Sequence, residues 1–211
     1  MVTEMSTRSS LISSLLSVTK GIDYLSRIAG IVANWFVLLA ALVCALDAFL
    51  RYGLGSLLLF SSKPDDVFQK LFALYRDNSN TLRDLQLVMF AGMVMLGAAW
   101  TLKVNEHVRV DLFYTWVSDR SRIWIDLIGG VLFLVPFCLL MLHFSWPWFL
   151  ESWNGDELSQ NAGGLPRWPI KIFLPLGFLL LLLQGLSEVI KCIAALTTDY
   201  RREHAYEKPI Q

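Results

Sequence analysis

The stretch Thr101-Leu-Lys-Val-Asn-Glu-His-Val-Arg-Val-Asp111 is a compact charged segment between two apolar runs, each long enough to cross a bilayer. The composition of the whole chain agrees with this pattern: 55% of its 211 residues are hydrophobic and 17% are charged, whereas soluble domains carry about 25% charged residues. So much apolar side chain requires lipid to cover it. We therefore expect membrane helices connected by charged turns.

Four apolar runs predict an all-α membrane protein with four transmembrane helices, because a hydrocarbon core about 30 Å thick requires about 20 helical residues. The predicted spans are residues 28–50, 85–102, 123–146 and 169–190, within a membrane domain over 28–195. Asp47 and Arg51 are expected to pair at the end of the first span, since they are four residues apart with the acid first. Gly129, Gly130 and Pro136 predict an irregular third helix.

Amphipathic segments precede the first two spans. In residues 1–27 the apolar side chains recur at helical spacing, which indicates an interfacial amphipathic helix or, alternatively, a simple extension of the first span. Residues 67–76 show a second apolar face and predict a short interfacial helix, too short to cross. Residues 196–211 form the C-terminal tail.

The distribution of basic residues predicts the orientation. Four crossings put both termini on one side, and that side carries 11 of the 18 Lys and Arg residues when the 103–122 loop is included. Cytoplasmic segments are enriched in Lys and Arg. We therefore expect both termini in the cytoplasm.

No residue pattern indicates catalysis, a cofactor or a metal. Cys44, Cys138 and Cys192 lie in or beside apolar runs, and His107 and His143 are expected on opposite membrane faces, where they cannot share a haem. Paired intramembrane carboxylates and phosphate-binding glycine loops are absent from the sequence. With zero net charge, nothing points to nucleic acid. The chain is therefore expected not to be an enzyme.

Three features are candidate contacts with a partner subunit. Small residues seven apart on the second span let another helix approach closely, or occur there by chance. The charged segment 101–111 is expected either to contact a partner subunit or to be a solvated turn whose charges pair with one another. On the fourth span a polar stripe ending near Lys191 is expected to face another helix, with a proton or ion path as the alternative. The candidate interface residues are Ala91, Gly92, Ala98, Ala99, His107, Arg109, Asp111, Gly177, Gln184 and Glu188.

Several short motifs, in order, resemble the small membrane subunit of tripartite ATP-independent periplasmic (TRAP) transporters, the DctQ-like proteins. They are Arg51-Tyr52, His107-Val-Arg-Val-Asp111, Glu157-Leu-Ser159, Gly163-Gly-Leu-Pro166 and Leu183-Gln-Gly185. The likeness covers about residues 28–195, and the long 51–83 loop departs from shorter family members. The resemblance implies a scaffold subunit in the bacterial inner membrane. Such a subunit pairs with a large permease and works with a periplasmic binding protein, usually in sodium-driven uptake of organic acids.

The loop between the third and fourth spans is the candidate docking surface for the binding protein, with a surface loop that has no partner as the alternative. Its candidate residues are Asp156, Glu157, Ser159, Gly163 and Gly164. Two other classes of protein stay open. An autonomous channel or transporter would need polar residues on several spans, and a membrane anchor of an oxidoreductase would usually need axial histidines at mid-depth.

Overall fold

The computed structural model describes residues 2–54, 56, 66–105, 117–198 and 200, and their side chains apart from those of residues 2–13, 54 and 66. Its helices are α1 (Val2–Ala48), α2 (Asp66–Val104), α3 (Asp119–Gly129), α4 (Val135–Asn154) and α5 (Trp168–Thr197), with π-helical segments at Phe49–Leu54 and Gly130–Leu134. Four helical stretches, with α3 and α4 forming one, are long and apolar enough to span a membrane. The predicted all-α fold class is confirmed.

Both predicted amphipathic segments are continuous with the spans that follow them. Residues 67–76 belong to α2, whose 39 residues extend about 58 Å at 1.5 Å per residue. The predicted break before the second span is absent because no Gly or Pro occurs between residues 66 and 91 to end the helix. Described residues before 28 likewise continue into the first span as α1.

The third membrane helix contains a π-helical turn where the sequence predicts irregularity. Gly130–Leu134 adopts π geometry immediately before Pro136. A proline within a helix has no N–H to donate, and its ring collides with the carbonyl four residues earlier. A wider turn relieves that collision, which accounts for the position of the π segment between α3 and α4.

α5 is the central helix of the bundle. α1, α2 and α5 pack against one another pairwise, whereas α3 and α4 pack chiefly against α5. The core joins Ala29 and Ala33 of α1, Leu96 and Ala99 of α2, and Leu180 of α5. Because three of the four core side chains on α1 and α2 are alanines, the three helices approach closely. Long apolar side chains cover the outer faces of the bundle, as expected for contact with lipid.

Candidate functional site

A buried polar cluster joins the start of the first span to the end of the fourth. The Asp23 carboxylate accepts hydrogen bonds from Lys191 Nζ at 2.8 and 2.9 Å and from Gln184 Nε2 at 3.0 Å. Ser26 Oγ donates to Gln184 Oε1 at 2.7 Å, and Ser187 Oγ donates to Asp23 at 3.3 Å. The polar stripe of α5 therefore faces α1 of the same chain.

The positive charges of this cluster are supplied by α2 as well as by α5. Lys191 Nζ also bonds Glu188 Oε1 at 2.8 Å, and Lys103 Nζ donates to the Asp23 carbonyl at 3.3 Å while lying 5.0 Å from the Trp100 ring centroid. Two ammonium groups thus meet two carboxylates. Buried charges are tolerated when they are paired and hydrogen-bonded in this way.

The residues on α1 that complete this cluster were not identified from the sequence. Asp23 and Ser26 lie on the segment interpreted as an amphipathic helix, where polar side chains are expected to face water. The available signal was their spacing of three, which places both side chains on one helix face, as the spacing of four does for Ser187 and Lys191. Because the sequence does not show which helices are adjacent, this spacing alone does not identify the residues that Asp23 and Ser26 contact.

Most of the small residues proposed as partner contacts are used inside the chain. A Cβ added at Gly92 would lie 2.4 Å from Phe36 Cε2, and one added at Gly177 would lie 2.6 Å from Met95 Cβ. Ala99 and Gln184 have no exposed surface. These four residues are therefore buried where α1, α2 and α5 pack together.

The remaining interface candidates have different positions. Ala91, Ala98 and Glu188 are half-buried, so a partner contact by them stays a prediction. His107, Arg109 and Asp111 lie outside the described residues.

At the opposite end of the bundle, Asp84 of α2 holds the loop between α4 and α5. Its Oδ2 accepts from the Leu165 N–H at 3.0 Å, and its Oδ1 accepts from Asn161 Nδ2 at 3.2 Å. Thr81 Oγ1 donates to the Gly163 carbonyl at 2.6 Å. The loop therefore rests on the first half of α2, a contact between residues about 80 positions apart that no local pattern indicates.

The adjacent glycines Gly163 and Gly164 are required by the geometry of this loop. Gly163 has φ of +71°, a conformation that side chains disfavour. Gly164 has an ordinary conformation, but an added Cβ would lie 2.4 Å from Asp84 Oδ2 and 2.5 Å from Ser159 Cβ. Together they let the backbone approach the Asp84 carboxylate.

An ion pair closes the base of the same loop. Glu157 pairs with Lys171 at the start of α5, and the Glu157 carbonyl accepts from the Arg167 N–H at 2.8 Å. Lys171 Nζ also lies 4.5 Å from the Trp148 ring centroid. The hydrogen bond from Lys171 lowers the pKa of Glu157 below its usual range.

The five docking candidates separate into two groups. Glu157, Ser159 and Gly164 are partly buried and build the loop, whereas Asp156 and Gly163 are exposed. Asp156 has φ of +45°, which Asp tolerates better than most residues. Asp156 is therefore the candidate whose charge is available to a docking protein.

The predicted pair at the end of the first span is present and has a third member. Arg51 lies 2.9 Å from Asp47 Oδ2, and Tyr75 of α2 donates its hydroxyl hydrogen to Asp47 Oδ1 at 2.9 Å while accepting from Arg51 Nε at 3.3 Å. Tyr75 thus connects α2 to the π-helical end of the first span. Spacing predicts the Asp47–Arg51 pair, but not the tyrosine.

Within the part of the chain that the structure describes, no three His, Cys, Asp or Glu side chains are grouped as metal ligands. At each end of the bundle, the polar groups form hydrogen bonds mainly with other groups at that same end. These features define a multi-pass membrane protein whose polar clusters around Asp23, Asp47 and Asp84 serve the packing of its own helices and the shape of one loop.

Comparison with protein families agrees with this class. The model for "Tripartite ATP-independent periplasmic transporters, DctQ component" matches residues 66–195, from α2 to nearly the end of α5. The chain belongs to this family of TRAP transporter components. No curated protein and no solved structure matches the chain. The match begins at α2, whereas the resemblance read from the sequence motifs extends back to residue 28.

Proposed function

We propose that this protein is the scaffold subunit that binds and stabilises the large permease of a TRAP transporter. The observation that carries the proposal is the family match over residues 66–195. In such a system the large subunit carries the substrate and ion sites, and a moving domain needs a fixed frame. Four packed helices beside the permease widen and anchor that frame.

The polar contacts favour a scaffold over an autonomous channel. A channel requires polar side chains that face a water-filled path. In the described bundle, Gln184 and Lys191 instead bond to Asp23 and Glu188, and Asp47 bonds to Arg51 and Tyr75. Groups satisfied in this manner contribute to helix packing.

The finer assignments follow from the family resemblance and the charge distribution. We place the protein in the bacterial inner membrane with both termini in the cytoplasm, since 11 of 18 Lys and Arg residues lie on that side of the predicted topology. The complete transporter, with its periplasmic binding protein, would take up organic acids with sodium. Substrate choice would reside in the other chains.

The loop held by Asp84 is the proposed docking surface for the periplasmic binding protein. It lies at the end of the bundle opposite Asp23 and Lys191, which is the periplasmic end in the proposed orientation. Its shape is fixed by Asp84 and by the Glu157–Lys171 pair. Asp156 offers an exposed negative charge beside that fixed backbone.

Docking is tested with Asp156→Asn, which removes the charge and keeps a residue that tolerates positive φ. Binding of the purified binding protein to the reconstituted transporter should weaken several-fold, since an exposed charge steers association. Lys20→Gln, an exposed charge change at the other end, is the control. Equal binding by wild type and Asp156→Asn would exclude a role for this charge.

The scaffold proposal is tested by affinity purification of the tagged chain from native membranes in mild detergent, followed by mass spectrometry. A stoichiometric large permease is expected. Recovery of this chain alone, as a monomer or homo-oligomer, would contradict the proposal and favour the autonomous channel.

A further inference from the structure

An unpartnered amide lies within the membrane on the outer face of α1. Asn34 is exposed, and its side chain makes no hydrogen bond within the described part of the chain. At 1.5 Å per residue it is about 16 Å along the helix from Asp23 and about 20 Å from Asp47. Because those two residues belong to the polar clusters at opposite ends, Asn34 is near the middle of the hydrocarbon.

The neighbouring tryptophan presents a second hydrogen-bond donor at the same depth. Trp35 is 60% exposed, and its indole N–H has no partner among the residues described. Tryptophan in membrane proteins concentrates at the two interfaces, where the ring lies near the headgroups. Lipid tails can satisfy neither the Asn34 amide nor this N–H, so both groups favour contact with protein.

The helix surface beside Asn34 permits close approach of another helix. Leu38, Ala41 and Ala45 follow Asn34 at steps of four, three and four, so they share its face, and all three are exposed. Alanines four residues apart leave a shallow groove in which a second backbone can pack. A helix seated there would lie within reach of the Asn34 side chain.

From these exposed polar groups and small side chains, we propose that the Asn34 face of α1 binds a transmembrane helix of the large permease. A polar group of that helix is hydrogen-bonded to Asn34. This inference rests on the proposed scaffold function. It gives that function a specific surface, formed by Asn34, Trp35, Leu38, Ala41 and Ala45.

The charge on this face argues against a second copy of the same chain. Arg27 lies seven residues before Asn34 on the same side of α1, is exposed, and forms no ion pair with a described residue. A parallel two-fold pairing through this face would place Arg27 beside its own copy. Like charges facing each other disfavour that arrangement, so a different chain fits better.

Site-specific photo-crosslinking of the co-expressed complex tests the assignment. A benzophenone amino acid is placed at Leu38 on the Asn34 face or at Leu140 on the exposed face of α4, positions with 49% and 53% exposure. The expected result is an adduct with the permease from Leu38 and none from Leu140. A Leu38 adduct only with lipid or a second copy, or a permease adduct from Leu140 alone, would overturn the assignment.

Matched substitutions supply an independent measurement. Asn34→Leu should lower the permease recovered per small subunit about threefold, the effect of one intramembrane hydrogen bond, and Asn34→Gln should restore part of it. Ala45→Phe should lower recovery further by filling the groove, while Leu140→Phe leaves it unchanged. The amount and thermal stability of each variant alone exclude misfolding.

Two outcomes separate this surface from the scaffold function. If the wild-type protein recovers the permease and neither Asn34→Leu nor Ala45→Phe lowers that recovery, the proposed surface is wrong and the scaffold function stands. If the wild-type protein recovers no permease, both proposals are wrong.

Discussion

Lys191 Nζ lies 2.8 Å from Asp23 Oδ2 and so joins α5 to α1 across 168 positions of sequence. The pair is largely buried, with 12% and 14% of the side chains exposed. Its energetic importance is best revealed by removing one partner, because the other charge then loses its compensation in a low-dielectric environment.

Lys191→Met should therefore destabilise the bundle. The expected cost is about 3 kcal/mol, since Asp23 and Glu188 would remain buried without the ammonium, which corresponds to a fall in Tm of about 6 to 12 °C for a chain of this size. Thermal unfolding in mild detergent measures it. The control is Lys20→Gln, an exposed residue on α1. Equal Tm values for wild type and Lys191→Met would show that the cluster does not contribute to stability.

Gly164→Ala should detach the loop from α2. The new methyl group would lie 2.4 Å from Asp84 Oδ2 and 2.5 Å from Ser159 Cβ, so either the carboxylate or the loop must shift. We expect either shift to break the hydrogen bond from the Leu165 N–H to that carboxylate. The expected cost is about 1 to 3 kcal/mol. Faster hydrogen exchange at Leu165 would report the change.

Gly21→Ala is the matched control for this loop variant, because a Cβ at Gly21 meets nothing within 4 Å. Alanine has the higher helix propensity, so Gly21→Ala should leave the protein unchanged or slightly more stable. Unchanged Leu165 exchange in Gly164→Ala would mean that Asp84 does not hold the loop.

The Asp23–Lys191 pair and the loop held by Asp84 also illustrate how much of the fold can be predicted from the sequence. The four membrane helices and the Asp47–Arg51 pair are predictable because hydropathy and a spacing of four are local properties. The continuity of α2 is not predicted because the polar run Arg76–Asn80 is typical of a loop, although it contains no Gly or Pro. The Asp23–Lys191 and Asp84–Leu165 contacts depend on which helices are neighbours, and the local sequence pattern of a helix does not show which helix packs against it.

The same distinction explains the partner candidates. A small-residue face or a polar stripe indicates that a helix packs against another helix, but not whether the second helix belongs to the same chain. Gly92, Gly177 and Gln184 turn out to contact α1, α2 and α5 internally. Only the structure separates such internal contacts from a polar residue such as Asn34, whose side chain has no hydrogen-bond partner among the described residues.

The Glu157–Lys171 pair makes the loop sensitive to acid. The pKa of Glu157 in the folded protein is below its ordinary value of 4.5 because Lys171 stabilises the carboxylate. The stabilisation is therefore fully present above about pH 4.5 and is lost as the pH falls through the lower folded pKa. Protection of the Arg167 N–H, corrected for intrinsic exchange, should stay constant between pH 5 and 8 and decline below pH 4.5.

Glu157→Gln removes the titrating group, so its Arg167 protection should be lower at neutral pH and should not show the same decline in acid. A parallel acid-induced decline in wild type and Glu157→Gln would assign the effect to another group.

Tyr75→Phe tests the contact between α2 and the end of the first span. The hydroxyl of Tyr75 is donor to Asp47 and acceptor from Arg51, so its removal leaves both charged partners with one bond fewer. We expect a loss of about 1 kcal/mol, typical for one hydrogen bond, measured as a fall in Tm of about 2 to 4 °C. Tyr24→Phe is the control because Tyr24 is 65% exposed. An equal Tm change in the two variants would show that the Tyr75 hydroxyl contributes no more to stability than an exposed one.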